Sequence, residues 1–224
     1  MAMAGLRERN RRRVRRELAD AALRLFSVHG VAGTTADDIA ELAGTSRSTF
    51  FRQFTTKEHV LFPDHEEELA VYRRLLSNRA PAQDKRDGIL QAARDASHAT
   101  LEAYRRDPEG YRERHRVIAS SPTARELSLR LDRDWEAALA EAFAHHLGEQ
   151  PGASWRADLL AGSLMGAVGA FHRSWADRNF EEDPSVGLAR VMAVFELGVG
   201  AVLGPDTVGQ GIDSPGTAGG EPGR

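Results

Sequence analysis

The stretch TADDIAELAGTSRSTFFRQF, residues 35–54, decides how the rest of the chain is read. Ile39, Ala43 and Phe50 fall where two short helices would share a core, and Ala40 is small enough to let those helices cross closely. Thr34 and Thr35 offer N-caps to ADDIAELA, whose acidic residues suit a first turn; Gly44 ends that helix, and Ser46 caps a second one through about Gln53. Such a pair presents its second helix to a DNA major groove about 12 Å wide, with its N-terminal residues toward the base edges. The residues at that end, Thr45, Ser46, Arg47, Ser48 and Thr49, are all polar, as the role requires. Arg47 is the candidate base reader, because a guanidinium makes a bidentate contact with guanine. Thr35, Ser46, Thr49, Arg52 and Lys57 suit phosphates, which position a protein without supplying sequence information.

Upstream, Val14, Leu18, Ala21, Ala22, Leu25 and Phe26 predict a helix that stops at His29, before Gly30. Residues 1–13, MAMAGLRERNRRR, lack apolar periodicity and read as a flexible basic arm suited to phosphates or the minor groove. Another helix is expected near Thr56, and residues 14–60 together read as a helix-turn-helix DNA-binding domain. From Pro63 onward, breaks at Pro81, Asp107-Pro108, Ser121-Pro122, residues 148–152 and Asp183-Pro184 mark out about five more helices, the last over Pro184–Leu203. No window alternates with period two, so the fold class is all-α with about nine helices. Residues 61–203 are then a helical regulatory and dimerisation domain, and the Gly/Pro-rich residues 204–224 a disordered tail.

Charge is divided in the same way. Residues 1–57 carry eleven Arg/Lys against six Asp/Glu, whereas the remainder carries nineteen against twenty-seven, within an overall charge of −3. A basic end on an acidic body fits a protein that brings one end to a polyanion. The chain has no cysteine, which excludes disulfides, thiolate nucleophiles and Cys-based zinc sites. No signal peptide is recognised, and no apolar run is expected to approach the roughly 20 residues that span a bilayer, so no membrane association and a cytoplasmic location are expected.

From Arg15 to Phe62 the chain resembles the TetR family of bacterial repressors, through the capped helix, Gly44, the Ser-x-x-Thr-Phe-Phe run, Phe54 and Lys57-Glu58 in order. The resemblance implies a homodimer on a pseudo-palindromic operator, a three-helix reading head and a C-terminal pocket for a small-molecule inducer. Position 51 is commonly Tyr in that family and is Phe here, so a phosphate contact is lost and Phe51 is expected to pack. The longer string TFFRQFTTKEHVLFPDH is similar to an actinobacterial subgroup that includes the mycofactocin-system regulator, which implies an acyl-coenzyme A effector.

Candidate cavity-lining residues in the body are Tyr104, Tyr111, Arg112, His115, Arg116, Trp135, Phe143, Met165, Phe171, His172 and Trp175; each could equally be core or surface. Arg112, Arg114 and Arg116 lie close enough in sequence to meet an anionic head group, or to form a solvated helix face. His145-His146 and the scattered histidines lack metal-ligand spacing, and neither metal nor cofactor is expected. LLAGSLMGAVGAF (159–171) and MAVFELGVGAVL (192–203) would supply two helices per subunit to a four-helix dimer interface, or else lie buried within one subunit. The leading function is a ligand-released, sequence-specific repressor. Against it stand a protein that coats DNA without sequence preference and an all-helical enzyme, though no nucleophile elbow, phosphate loop or dinucleotide fingerprint is present.

Overall fold

Small polar caps and prolines set the helix boundaries. Asp107 and Ser121 accept hydrogen bonds from the amides of Gly110 and Ala124, with Pro108 and Pro122 at the first helical positions, where a missing N–H costs nothing. A computed structural model describes residues 2–77, 84–149 and 151–203. The helices described are α1 (Ala2–His29), α2 (Ala36–Leu42), α3 (Arg47–Gln53), α4 (His65–Ser77), α5 (Lys85–Arg106), α6 (Pro108–Ser120), α7 (Pro122–Leu147), α8 (Ala153–Asp177) and α9 (Pro184–Leu203). Among the described residues there is no strand, and the all-α expectation of about nine helices holds. The tail expected over 204–224 lies outside the described residues.

Three expectations change. Residues 2–13, read as a flexible arm, continue α1 back to Ala2. Arg and Glu are good helix formers, Arg13 pairs with Glu17 one turn on at 2.5 Å, and Arg11 and Arg12 reach Glu67 of α4 at 3.1 and 3.2 Å. The helix expected near Thr56 is a four-residue 3-10 turn, Glu58–Leu61. Pro63 disfavours helical geometry at Phe62, which leaves too little chain for a full helix. An apolar run of membrane-spanning length does exist: α9, 20 residues at mean hydropathy 1.8, is long and apolar enough by length and composition. Arg190 and Glu196 interrupt it in sequence, but each makes an ion pair, with Glu182 and Arg94 respectively.

Two hydrophobic cores form. The first joins Leu18, Ala22 and Phe26 of α1 to Ile39, Phe50, Phe54, Val60 and Leu61, and it also takes in Val117 of α6 and Ala124 of α7. The second fills the body between α4, α5, α7, α8 and α9, around Ile89, Leu139, Phe143, Leu160, Leu164 and Trp175. Helix α6 therefore serves both, with Tyr111 on the body core and Val117 in the reading head. Ser27 of α1 adds a hydrogen bond to the Glu113 carboxylate. In the body, α8 and α9 meet where Gly187 passes Phe171; a Cβ there would lie 1.9 Å from the ring, so only glycine permits the approach. The buried side of α9 is Leu188, Val191, Phe195 and Val199. Its other side leaves Val186, Val194 and Leu197 at 42%, 65% and 81% exposure.

Candidate nucleic-acid interface

Helices α2 and α3 have seven residues each, too short to persist alone in water, so caps and packing must hold them. Thr35 and Asp38 form a reciprocal capping box: the Asp38 amide donates to Thr35 Oγ1 at 3.2 Å, and the Thr35 amide donates to Asp38 Oδ2 at 2.8 Å. Those bonds hold the Asp38 carboxyl below the usual carboxylate range. Gly44 then takes the left-handed conformation, φ +64°, which lets the Thr45 amide close onto Ala40 O at 2.8 Å. The tight turn sets Ser46 to cap α3 by accepting from the Thr49 amide at 3.2 Å. Ile39 and Phe50 are fully buried between the helices, as their spacing indicated, while Ala43 is half-buried. Burying a Phe contributes about 1.5–3 kcal/mol, comparable to several helix caps.

The outer face of α3 is polar and exposed at Ser46, Arg47, Ser48 and Arg52, with Thr45 and Thr49 half-buried beside them. Ser46 Oγ lies 2.9 Å from Ser48 Oγ and 3.0 Å from Thr49 Oγ1, which in turn accepts from Arg52 Nη2 at 3.4 Å. Arg47 Nη1 donates to Asp37 Oδ2 at 2.6 Å, with its guanidinium carbon 5.1 Å from the centre of the Phe51 ring. The expectation that Phe51 simply packs is corrected: its edge meets Phe50 at 5.3 Å, yet it remains 45% exposed. Packing on one edge of a ring does not cover its outer face.

Two cations are turned inward in the free chain. Lys57, expected at a phosphate, donates to Val31 O at 2.6 Å and Thr34 O at 2.8 Å, which ties the 3-10 turn to the α1–α2 connection. Arg15 donates to Gln53 O at 2.5 Å and Pro63 O at 2.8 Å and stacks over Phe54, fixing the C-terminal end of α3 against α1. The basic run in the sequence did not distinguish Arg15 from its neighbours. Carbonyls and phosphates call for the same donor chemistry, and only the fold separates them.

In the body, six of the candidate lining residues meet. Trp175 is surrounded by Tyr104, Tyr111, His115, Phe171 and His172, with ring centroids 5.8 to 6.5 Å from its own. Phe180, which the sequence reading missed, closes the group at 4.9 Å; it and Asn179 turn the chain with φ of 60° and 55°. Arg112 donates to the Tyr104 hydroxyl at 2.6 Å, and its Nε is buried without a hydrogen-bond acceptor. Arg116 is exposed, pairs with Glu113 at 2.5 Å and lies over the Phe180 ring. Trp135 stands apart, against Tyr72 and His65, and Met165 is half-buried against the body core. A concavity of about 370 Å³ opens along α1, between Arg9, Arg12, Arg13, Arg16, Glu17 and Asp20.

His115 and His172, 5.0 Å apart, are both held neutral by burial, which lowers their pKa values to about 4 and about 3. Below about pH 6.5 the unfolded chain binds those protons and the folded chain does not, so stability falls as pH drops toward 4. Asp132, raised by burial to about 6, acts in the opposite direction between 6 and its ordinary 3.8. Glu68, raised by burial, acts with Asp132, while His59, lowered by burial, and the lowered carboxyls of Asp38, Glu113 and Asp183 act with the two histidines; the balance is a net acid loss, read as a falling urea midpoint between pH 7 and 4.5. His172→Phe should make the fall shallower; an identical profile in that variant would mean His172 is solvated.

Residues 18–62 match the family described as bacterial regulatory proteins, tetR family, and residues 87–200 match the MftR C-terminal domain. The chain belongs to the TetR family. Its relatives include the mycofactocin biosynthesis transcriptional regulator MftR of Mycobacterium tuberculosis, 28% identical over 200 residues, which cover 88% of this chain and 89% of that one. A TetR-family regulator from Streptomyces coelicolor superposes with a TM-score of 0.56 at 18% identity, over 85% of this chain and 94% of that structure. The fatty acid degradation regulator FadR from Bacillus halodurans gives 0.55 at 16% identity, over 81% and 93%. The chain is thus a TetR-family transcription regulator with a helix-turn-helix domain.

Proposed function

We propose that this regulator is a cytoplasmic homodimeric repressor, which grips a pseudo-palindromic operator through two copies of α3 and releases it when an amphipathic ligand enters the body. The observation that carries the reading is the exposed polar face of α3, with Arg47 at its first turn and a buried aromatic support behind it. Two such heads suit half-site centres about 34 Å apart. Arg47→Ala should weaken specific binding by about 1–3 kcal/mol and leave the thermal unfolding curve in place. Unchanged operator affinity in a fluorescence titration would remove Arg47 from the readout. Coating of DNA without preference is separated by competition, since a specific regulator favours its operator by about 10³-fold or more.

The ligand side rests on α6. One end of that helix lies in the ring cluster around Trp175 and the other in the reading-head core, so a molecule that parts the rings also displaces Val117. The buried, acceptor-less Nε of Arg112 suits an anionic head group, and the apolar rings suit a chain behind it. The resemblance of TFFRQFTTKEHVLFPDH to the mycofactocin-regulator subgroup implies an acyl-coenzyme A. Such a ligand lowers DNA affinity only by binding more tightly to the arrangement in which the two heads no longer match successive grooves. Acyl-coenzyme A that leaves operator affinity unchanged would eliminate this effector and leave the operator-reading function standing.

A further inference from the structure

We propose that Asp37, Arg47 and Phe51 act as one reading unit: Asp37 aims the Arg47 guanidinium at a guanine and withholds it from phosphates, while Phe51 contacts a neighbouring thymine methyl. The inference rests on the operator-reading function proposed above. It begins from a carboxylate placed where DNA should lie. Asp37 is 57% exposed and bonded to Arg47, itself 65% exposed, at 2.6 Å. An exposed ion pair of this kind adds little to stability, and the α2 cap is already made by Thr35 and Asp38. Facing a polyanion, a carboxylate weakens binding to every sequence and offsets the charge that would draw Arg47 to the nearest phosphate. It also fixes direction. The bond uses Nη1, leaving the Nε–Nη2 edge with two parallel donors for guanine O6 and N7.

Phe51 completes the arrangement. Its ring lies 5.1 Å from the Arg47 guanidinium carbon and is held on edge by the fully buried Phe50. A phenyl ring left 45% exposed on a reading helix gains nothing from water, and the apolar feature of the major groove is the thymine C5-methyl. Arg47 and Phe51 are four residues apart, about 6 Å along the axis, and successive base pairs rise about 3.4 Å. The contacted thymine therefore lies within about two base pairs of the guanine.

The test uses the full-length chain and a duplex that it selects from a randomised library. Replacing each thymine in turn by deoxyuridine removes only the methyl group. Wild type should lose about fourfold in affinity, the worth of one buried methyl, at one position per half-site, and Phe51→Ala should be indifferent there. Asp37→Asn should raise affinity for random-sequence DNA, steepen the salt dependence by about one counterion per head and so lower the specific-to-random ratio. No deoxyuridine effect at any thymine, or an equal effect in Phe51→Ala, overturns the Phe51 assignment. An unchanged salt slope and ratio in Asp37→Asn overturns the Asp37 assignment. The deoxyuridine scan needs no variant, so it decides even where Phe51→Ala does not fold. A wild-type chain that selects no sequence at all overturns the operator-reading function itself.

Discussion

Trp175→Ala should cost the folded chain about 3–5 kcal/mol, which is a large share of the stability of a domain this size. The indole is fully buried among Tyr104, Tyr111, Phe171 and Phe180, and its Nε1 donates to Glu182 O at 2.8 Å in the turn that leads into α9. Truncation removes the contacts, leaves a void that rigid neighbouring rings fill poorly, and frees the turn that positions α9. Trp175→Phe keeps most of the volume and loses the hydrogen bond, so its cost should be the smaller of the two. Urea unfolding at pH 7 measures both. A loss under about 1 kcal/mol for Trp175→Ala would mean the rings enclose open space rather than a packed core.

What could be read in advance was local. The Thr35 and Ser46 caps, Gly44, and the Asp107-Pro108 and Ser121-Pro122 pairs act within one helical turn, and each marks the boundary it announced. The extension of α1 was hidden because its partner, Glu67, is more than fifty residues away in sequence. The roles of Lys57 and Arg15 were hidden for a different reason: a cation suited to phosphate is equally suited to a carbonyl, and spacing does not say which is near. Tyr104, Tyr111, His115, Phe171, His172 and Trp175 do meet, as their aromatic character allows, but Trp135 faces Tyr72 and His65, because helix register alone does not reveal which neighbour a face will find. Phe180 went unnoticed since nothing in the residue types at 179 and 180 signals two successive positive φ values.

Leu197→Glu should convert the dimer into a monomer and lower operator affinity by about 10²-fold or more, because each head would then bind its half-site without the other's effective concentration. Leu197 is 81% exposed and Val194 65%, and on α8 Leu159 and Trp155 are 49% and 52% exposed. A Cβ added at Gly166 of α8, or at Gly198 or Gly200 of α9, would meet nothing in the protomer, as expected where a second backbone approaches closely. A 20-residue helix at mean hydropathy 1.8 with 28% of its apolar window buried leaves more apolar surface uncovered than a lone soluble domain ordinarily does. Pairing α8 and α9 with their symmetry mates into four helices would cover it. Because Leu197 touches little within its own protomer, a glutamate there should leave protomer unfolding unchanged while placing an unpaired charge at the interface. Leu129→Glu, at a 62% exposed position on α7, serves as the control and should remain dimeric. Sedimentation at micromolar concentration reads both variants: a Leu197→Glu dimer of normal affinity would move the interface off α9, whereas a Leu197→Glu monomer beside a Leu129→Glu dimer assigns it there.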